Sequence, residues 1–388
     1  MHPRLAPLTV TVRDPQGRPR PGVPVTATPR TLPLAVGTCL AHHAWADPVL
    51  GPGYRAFAEA VCQVAVGENE WKWYHTDPEG WAGRWADAEA LWHWCHERGI
   101  AVRGHCLTWD KARWVPAWVR ALPAPQIMAS VYHRIGDATL RWRGRVTCWD
   151  ACNELLDGGW LEGTLGVGST ARLLQAAQRY DSAPLFVNEY GILDSDEKLG
   201  RYLQLIAGLR AQGAPVGGIG IQEHAAERCV VDAAAAAAEA DRPERQGRGP
   251  LIVPEMHRRF DRLAVTGLPI HLTEVSVKTP DLGKRAEALG ILLDTAWDHP
   301  AVEVFMLWGF HPQVHWLKDD AALTDAGGQP NRAGQVLLDR LARWKALVHG
   351  TTGADGTCTL AVPRGRVAIA TPLATVEADH AAMVSVTG

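Results

Sequence analysis

Arg145-Val146-Thr147-Cys148-Trp149-Asp150-Ala151-Cys152-Asn153-Glu154 is the stretch on which the reading of this chain turns. It opens as a short apolar, β-branched run and ends abruptly on an amide and a carboxylate side by side. Such an ending is poor material for a buried core and good material for a site at the open end of a sheet. A second strand of this kind, Pro269-Ile270-His271-Leu272-Thr273-Glu274, closes on Glu274. Two carboxyls at two strand ends suit paired acid/base work, one protonated and one ionised.

Outward from this stretch the same unit repeats. Short apolar runs at 34–38, 61–66, 100–107, 145–153, 184–190, 216–222, 268–275 and 302–308 are predicted strands. Helical periodicity separates them at 81–98, 127–142, 169–180, 197–212, 254–266, 284–298 and 332–348. Strand alternating with helix over about 250 residues or more is the pattern of a (β/α)8 TIM barrel. A doubly wound open sheet competes, but it advertises a glycine-rich phosphate loop after its first strand, and none stands here. An Ala-rich run at 232–240 reads as a short helix, with a solvent loop at 241–250 behind it.

The two ends of the chain read differently. Residues 8–30 alternate β-branched residues around a Pro/Gly turn, the composition of a hairpin. Short strands with Gly turns return over the last forty or so residues, and two strands alone are marginal in water. The barrel is therefore expected at 31–349, inserted into a small β-sandwich built from the terminal segments 1–30 and 350–388. The terminal pattern Asp14-Pro15-Gln16-Gly17-Arg18-Pro19, Gly22-Val23-Pro24-Val25 and Thr352-Gly353-Ala354-Asp355-Gly356 resembles the small transthyretin-like β domains.

Bulk properties narrow the classes. The chain has 388 residues, 47% hydrophobic and 21% charged, as an ordinary globular protein does. A net charge of −3 argues against a nucleic-acid footprint. No run reaches membrane-spanning length. The opening Met1-His2-Pro3-Arg4-Leu5-Ala6-Pro7 lacks an apolar leader core, which reads as a cytoplasmic protein or a mature secreted form. The 8 cysteines form no double CxxC framework and read as free thiols. The 17 Trp stand against 5 Phe and 6 Tyr, a stock of stacking surface for sugar rings, most of it assigned to core packing.

Catalytic groups in such barrels stand where strands finish. The strand ends here carry Glu68-Asn69 with Lys72 behind, Arg103-Gly104-His105 and then Trp109, Asn153-Glu154, Asn188-Glu189-Tyr190, Gln222-Glu223-His224, Thr273-Glu274, and Trp308 followed by Trp316. One such polar group is ordinarily a satisfied structural residue; so many at one end of successive strands are not explained by packing.

These motifs resemble the family 10 glycoside hydrolases, the endo-1,4-β-xylanase family of retaining barrel enzymes. The resemblance rests on Glu68-Asn69-Glu70-Trp71-Lys72-Trp73, Arg103-Gly104-His105-Cys106-Leu107-Thr108-Trp109, Trp149-Asp150-Ala151-Cys152-Asn153-Glu154, Phe186-Val187-Asn188-Glu189-Tyr190, Gly218-Ile219-Gly220-Ile221-Gln222-Glu223-His224, Leu272-Thr273-Glu274 and Trp308-Gly309, in the family's order over residues 34–345. It implies Glu154 as acid/base, Glu274 as nucleophile, Asn153 as the amide for a sugar hydroxyl, and His224 as the partner that holds Glu274 ionised. It further implies Gln222 near both carboxylates, Glu68, Asn69, Lys72, His105 and Trp109 at the glycone subsites, and Trp308 and Trp316 walling the cleavage point. The implied partner is β-1,4-linked xylan or xylo-oligosaccharide, with no cofactor and no metal. Three departures stand out: Ser276 where the family carries an Asp bonded to the histidine, Glu223, expected to add a charge near the cleft, and the first strand Val36-Gly37-Thr38-Cys39, which runs into a His42-His43 pair that matches no family motif and reads as a solvated or packed pair.

Three rival readings differ in class. Other retaining barrel glycosidases, β-glucanases or β-glucosidases, share the two Glu positions. A metal-dependent barrel hydrolase needs His-x-His after the first strand, whereas His42-His43 are adjacent. A sugar-binding barrel without turnover would have no need of both glutamates.

Overall fold

The computed structural model describes residues 1–230, 250–380 and 383–387, so the Ala-rich run at 232–240 lies outside the described residues. The first two strands are β1 (Leu5–Arg13) and β2 (Pro24–Pro29). The next eight are β3 (Ala35–Leu40), β4 (Val64–Gly67), β5 (Ala101–Trp109), β6 (Cys148–Asn153), β7 (Leu185–Tyr190), β8 (Val216–Glu223), β9 (Ile270–Val275) and β10 (Val302–Leu307). These eight, all parallel, close into a barrel in the order β10-β3-β4-β5-β6-β7-β8-β9. β4, β6 and β9 are buried along their whole length, as parallel strands covered by helices must be. Close approach is local: a Cβ at Gly104 would stand 2.3 Å from the Trp149 ring on the neighbouring strand.

Helices form at the predicted positions where a cap or an apolar stripe supports them. Asp196–Ala211 starts at Ser195, whose hydroxyl accepts from the Lys198 N–H, and Leu282–Asp298 starts at Asp281, which accepts from Gly283 and Lys284. The run predicted at 81–98 begins only at Ala86, because Gly80 and Gly83 have φ of +124° and +56° and break the turn before it. The helix Gly51–Val61 escaped prediction behind its Gly-Pro-Gly start, although Tyr54, Phe57, Ala58 and Val61 give it a buried face. The last barrel helix ends at Trp344 instead of running to 348, and Val348 is already paired with Ala27 of β2.

Five more strands follow among the described residues: β11 (Val348–Thr351), β12 (Thr357–Pro363), β13 (Arg366–Ala370), β14 (Thr375–Asp379) and β15 (Met383–Thr387). They form two sheets with the N-terminal strands, in the orders β12-β1-β15 and β11-β2-β13-β14. Leu8, Val10 and Val12 from one sheet meet Val25, Ala27, Val367 and Ile369 from the other in a core of their own. This is the β-sandwich expected from the termini. Its first two strands are not a hairpin, however, since β1 and β2 lie in different sheets. The return after β1 stops at a single bridge, Arg13 with Pro19, because Pro19 and Pro21 have no N–H with which to continue a ladder.

Arg4 fastens this sandwich to the floor of the barrel. Its buried guanidinium donates to the carbonyls of Trp297 (2.9 Å), Ala296 (2.9 Å), His299 (2.7 Å) and Pro33 (2.6 Å), and also to that of Val302. Burial pulls Arg4 down to about 10, against the fields of Glu303 and Asp298, so it stays charged at neutral pH. Arg4→Ala strands several buried carbonyls at once and is expected to cost about 3 kcal/mol or more. Urea unfolding followed by tryptophan fluorescence measures this; a change below about 0.5 kcal/mol would show that the carbonyls find other donors.

Candidate active site

The C-terminal rim of the barrel brings together side chains from seven strand ends, those of β4 to β10. β6 ends in an unusual backbone: Glu154 has φ of +58°, a left-handed conformation that a non-glycine residue adopts at a cost. The Glu154 N–H donates to the Asn188 carbonyl at 2.9 Å, which fixes the stem of the side chain. Of its carboxyl oxygens, Oε1 lies 3.5 Å from the Gln222 amide and Oε2 lies 2.5 Å from the Lys111 ammonium.

Asn188, at the end of β7, is the hub. Its Nδ2 donates to Asn153 Oδ1 and to Glu274 Oε1, both at 2.8 Å, and its Oδ1 accepts from the Thr273 hydroxyl at 2.6 Å. Gly220 on β8 makes room, since a Cβ there would sit 2.4 Å from Asn188 Oδ1. Gln222 completes a chain from one carboxyl to the other: it reaches Asn153 Oδ1 at 3.3 Å and Glu154 Oε1, and meets Glu274 only through Asn153 and Asn188. The second Glu274 oxygen takes His224 Nε2 at 3.1 Å, while His224 Nδ1 lies 3.1 Å from Ser276 Oγ. A carboxylate at 276 could only accept from Nδ1–H; a hydroxyl can also donate to a bare Nδ1 and leave Nε2–H aimed at Glu274.

Charge and burial then set the ionisation of Glu274. Burial works to raise Glu274, but the His224 hydrogen bond and the fields of His105, His224 and Lys72 outweigh it and hold Glu274 below the ordinary glutamate range. His105 stands on a buried ion pair: its Nδ1 meets Asp150 Oδ2 at 2.9 Å, and Arg103 clasps the same carboxylate through Nε (2.8 Å) and Nη2. Burial favours neutral Asp150, yet Arg103 keeps it far below the usual carboxylate range. Arg103 also meets His271 Nδ1 at 2.8 Å, and burial drives His271 down to about 4.

The remaining predicted site residues line the same rim. Lys72 Nζ lies 5.0 Å over the Trp109 ring and 5.4 Å over Trp308. Burial lifts Glu68 to about 7 against the pull of Lys72. Asn69 Oδ1 accepts from the Tyr74 hydroxyl at 2.7 Å, and Trp109 stacks on Trp114 at 4.6 Å. Trp308 is buried against the edge of His105, whereas Trp316 is half exposed with His224 at 5.0 Å. Glu223 differs from expectation: Arg228 binds it at 2.8 Å and the Ala225 N–H donates to it at 3.0 Å, so its charge is balanced inside the rim.

Four residues that matter to this geometry, Asn188, Glu189, Asp150 and Lys111, were given no role from the sequence. Asn188-Glu189 repeats the Asn153-Glu154 pattern one strand on, a signal that was available. Asp150 and Lys111 gave none, since only the register of β5 on β6 and the path of the following loop bring them in. Glu189 is fully buried, accepts from the Leu156 N–H at 2.7 Å, and is lifted to about 8 by burial, with Lys198 opposing and Glu154 reinforcing. A carboxyl raised on folding binds its proton more tightly in the native state, so stability falls as pH rises from about 4.5 towards 8. Glu189→Gln keeps the shape of the neutral acid and is expected to gain about 2 kcal/mol over the native chain at pH 8 and little at pH 5. Thermal melts at the two values test it, and an equal effect at both contradicts the assignment.

Comparison with known proteins places this rim in context. The model of glycosyl hydrolase family 10 matches residues 28–340. The anti-sigma-I factor RsgI6 of Acetivibrio thermocellus is 30% identical over 90% of this chain, and endo-1,4-beta-xylanase 3 of Arabidopsis thaliana is 33% identical over 79%. The chain spans only 42% and 38% of the lengths of these two relatives. Among solved structures, xylanase 10B from Thermotoga petrophila, in complex with xylobiose, superposes with a TM-score of 0.68 at 23% identity, covering 79% of this chain and 94% of that one. On the span of that family match, the chain belongs to glycosyl hydrolase family 10.

Proposed function

We propose that the protein is a retaining glycoside hydrolase that cleaves β-1,4-xylosidic bonds in xylan or xylo-oligosaccharides, with the catalytic unit at residues 31–349 and the segments 1–30 and 350–388 bracing it. The observation that carries this reading is the hydrogen-bond chain from Glu154 through Gln222, Asn153 and Asn188 to Glu274, with unlike surroundings at its two ends. Glu274, held anionic between Asn188 and His224, attacks the anomeric carbon; Glu154 gives its proton to the glycosidic oxygen as that bond breaks. Water then attacks the glycosyl-enzyme ester and returns a proton to Glu154, freeing Glu274 with net retention. Asn153 meets the sugar hydroxyl next to the reacting carbon. Glu68, Asn69, Lys72, His105 and Trp109 take the glycone sugars, and Trp308 and Trp316 wall the cleavage point.

Glu274→Ala is expected to lower turnover of every substrate by roughly 10⁴-fold or more. Glu154→Ala slows xylo-oligosaccharides by roughly 10²–10⁴-fold and activated aryl xylosides far less, because only the former need protonation. Equal losses on the two substrates, or an inverted product anomer, would sink the role assignment. His224→Ala removes a hydrogen bond that depresses Glu274, so the acidic limb of kcat/KM should move to higher pH. An unmoved limb in the pH–rate profile shows that His224 does not set the ionisation of the nucleophile.

One observation favours a second reading, xylo-oligosaccharide binding without cleavage: the relative that aligns with 90% of this chain is named an anti-sigma factor. Release of reducing ends from xylo-oligosaccharide by the native chain separates the two.

A further inference from the structure

Resting on the hydrolytic reading above, we propose that Lys111 is a positioning residue that decides which oxygen of Glu154 moves the proton: Oε1 transfers it, and Oε2 never does. The terminal torsion of a glutamate side chain is broad, so a fixed stem does not by itself choose between its oxygens. Here the stem is fixed by the left-handed backbone and the N–H bond to Asn188, and the torsion is fixed by Lys111, 2.5 Å from Oε2. The pair is shielded, with 18% and 10% of the two side chains exposed, which sets it apart from a surface ion pair. Lys111 is itself held from below: its ammonium lies 5.1 Å over the Tyr190 ring. Tyr190 is pinned in turn by Lys198, 3.4 Å over the same ring and bonded to Asp157 at 2.5 Å.

An ammonium has donors only, so the oxygen it engages acts as an acceptor in both protonation states of Glu154. Oε1 faces only a neutral donor, the Gln222 amide at 3.5 Å, so the proton of the neutral acid resides on Oε1 in preference to the oxygen held by the ammonium. That oxygen is also the one on the hydrogen-bond chain to Glu274, beside Gln222, and the bond to be broken must lie between the two carboxyls. In the first step Oε1–H passes its proton to the glycosidic oxygen while the carbon–oxygen bond breaks and Glu274 bonds the carbon. In the second, Oε1 takes a proton from water as water bonds that carbon and Glu274 leaves. Without Lys111 the carboxyl rotates, and the proton is often on the oxygen that faces away.

The test compares the native chain with Lys111→Met and Lys111→Arg on two substrates, an unactivated xylo-oligosaccharide and an aryl xyloside with a good leaving group. Lys111→Met is expected to lower kcat on the oligosaccharide about 10- to 100-fold with KM little changed, and on the aryl glycoside by less than about threefold. Lys111→Arg, which keeps a donor at that place, recovers most of the loss. Equal loss on both substrates, no loss on the oligosaccharide, or a change confined to KM overturns the assignment. A native chain that releases no sugar from either substrate overturns the hydrolytic reading, and the role of Lys111 with it, so the two failures are told apart.

Discussion

The side-chain amide of Asn188 is the constraint on which the rim of this barrel depends. One planar group gives both N–H bonds and its carbonyl to Asn153, Glu274 and Thr273, and so locks the ends of β6, β7 and β9 in one plane. It works only because β8 carries a glycine opposite it. Buried amides with all their capacity used are rigid and specific; half-used ones are costly. Two carboxyls gathered at one rim repel each other, and this amide, with His224 on one side and Lys111 on the other, is what holds them in register.

Below the rim a second layer of buried charge supports the first. Arg103, Asp150, His105 and His271 form a continuous polar column inside an otherwise apolar barrel. A buried ion pair is weak evidence for stability, since desolvation offsets much of the attraction. Its value here is orientation. Asp150 fixes the ring of His105, and His105 adds to the field that keeps Glu274 ionised. The path from sequence to chemistry thus runs through strand register, which sets Arg103 beside Cys148 and His105 beside Asp150.

Much of the barrel was legible in the chain because strand and helix periods alternate cleanly and strand ends punctuate them with polar pairs. What was illegible follows from three kinds of physics. Glycines at 80 and 83 took the first turns from one helix, and a Gly-Pro-Gly start concealed another. Prolines 19 and 21 turned an apparent hairpin into a crossing between sheets. Long side chains reached further than spacing reveals: Arg228 neutralises Glu223, and Lys111 meets a carboxyl on a different strand end. The neutral state of Glu189 had no signature in the chain at all, because it is a property of burial.

The sheet β12-β1-β15 has a bearing on how the molecule comes into being. Leu5 pairs with Pro363, and Val10 lies between Cys358 and Val384, so β1 finds neither neighbour until the whole barrel that separates them in sequence has been synthesised. During that interval β1 is an unpaired apolar edge, tethered to a barrel whose own closure needs β10. The sandwich therefore cannot close before the barrel segment has been made, and it ties the two ends of that barrel together.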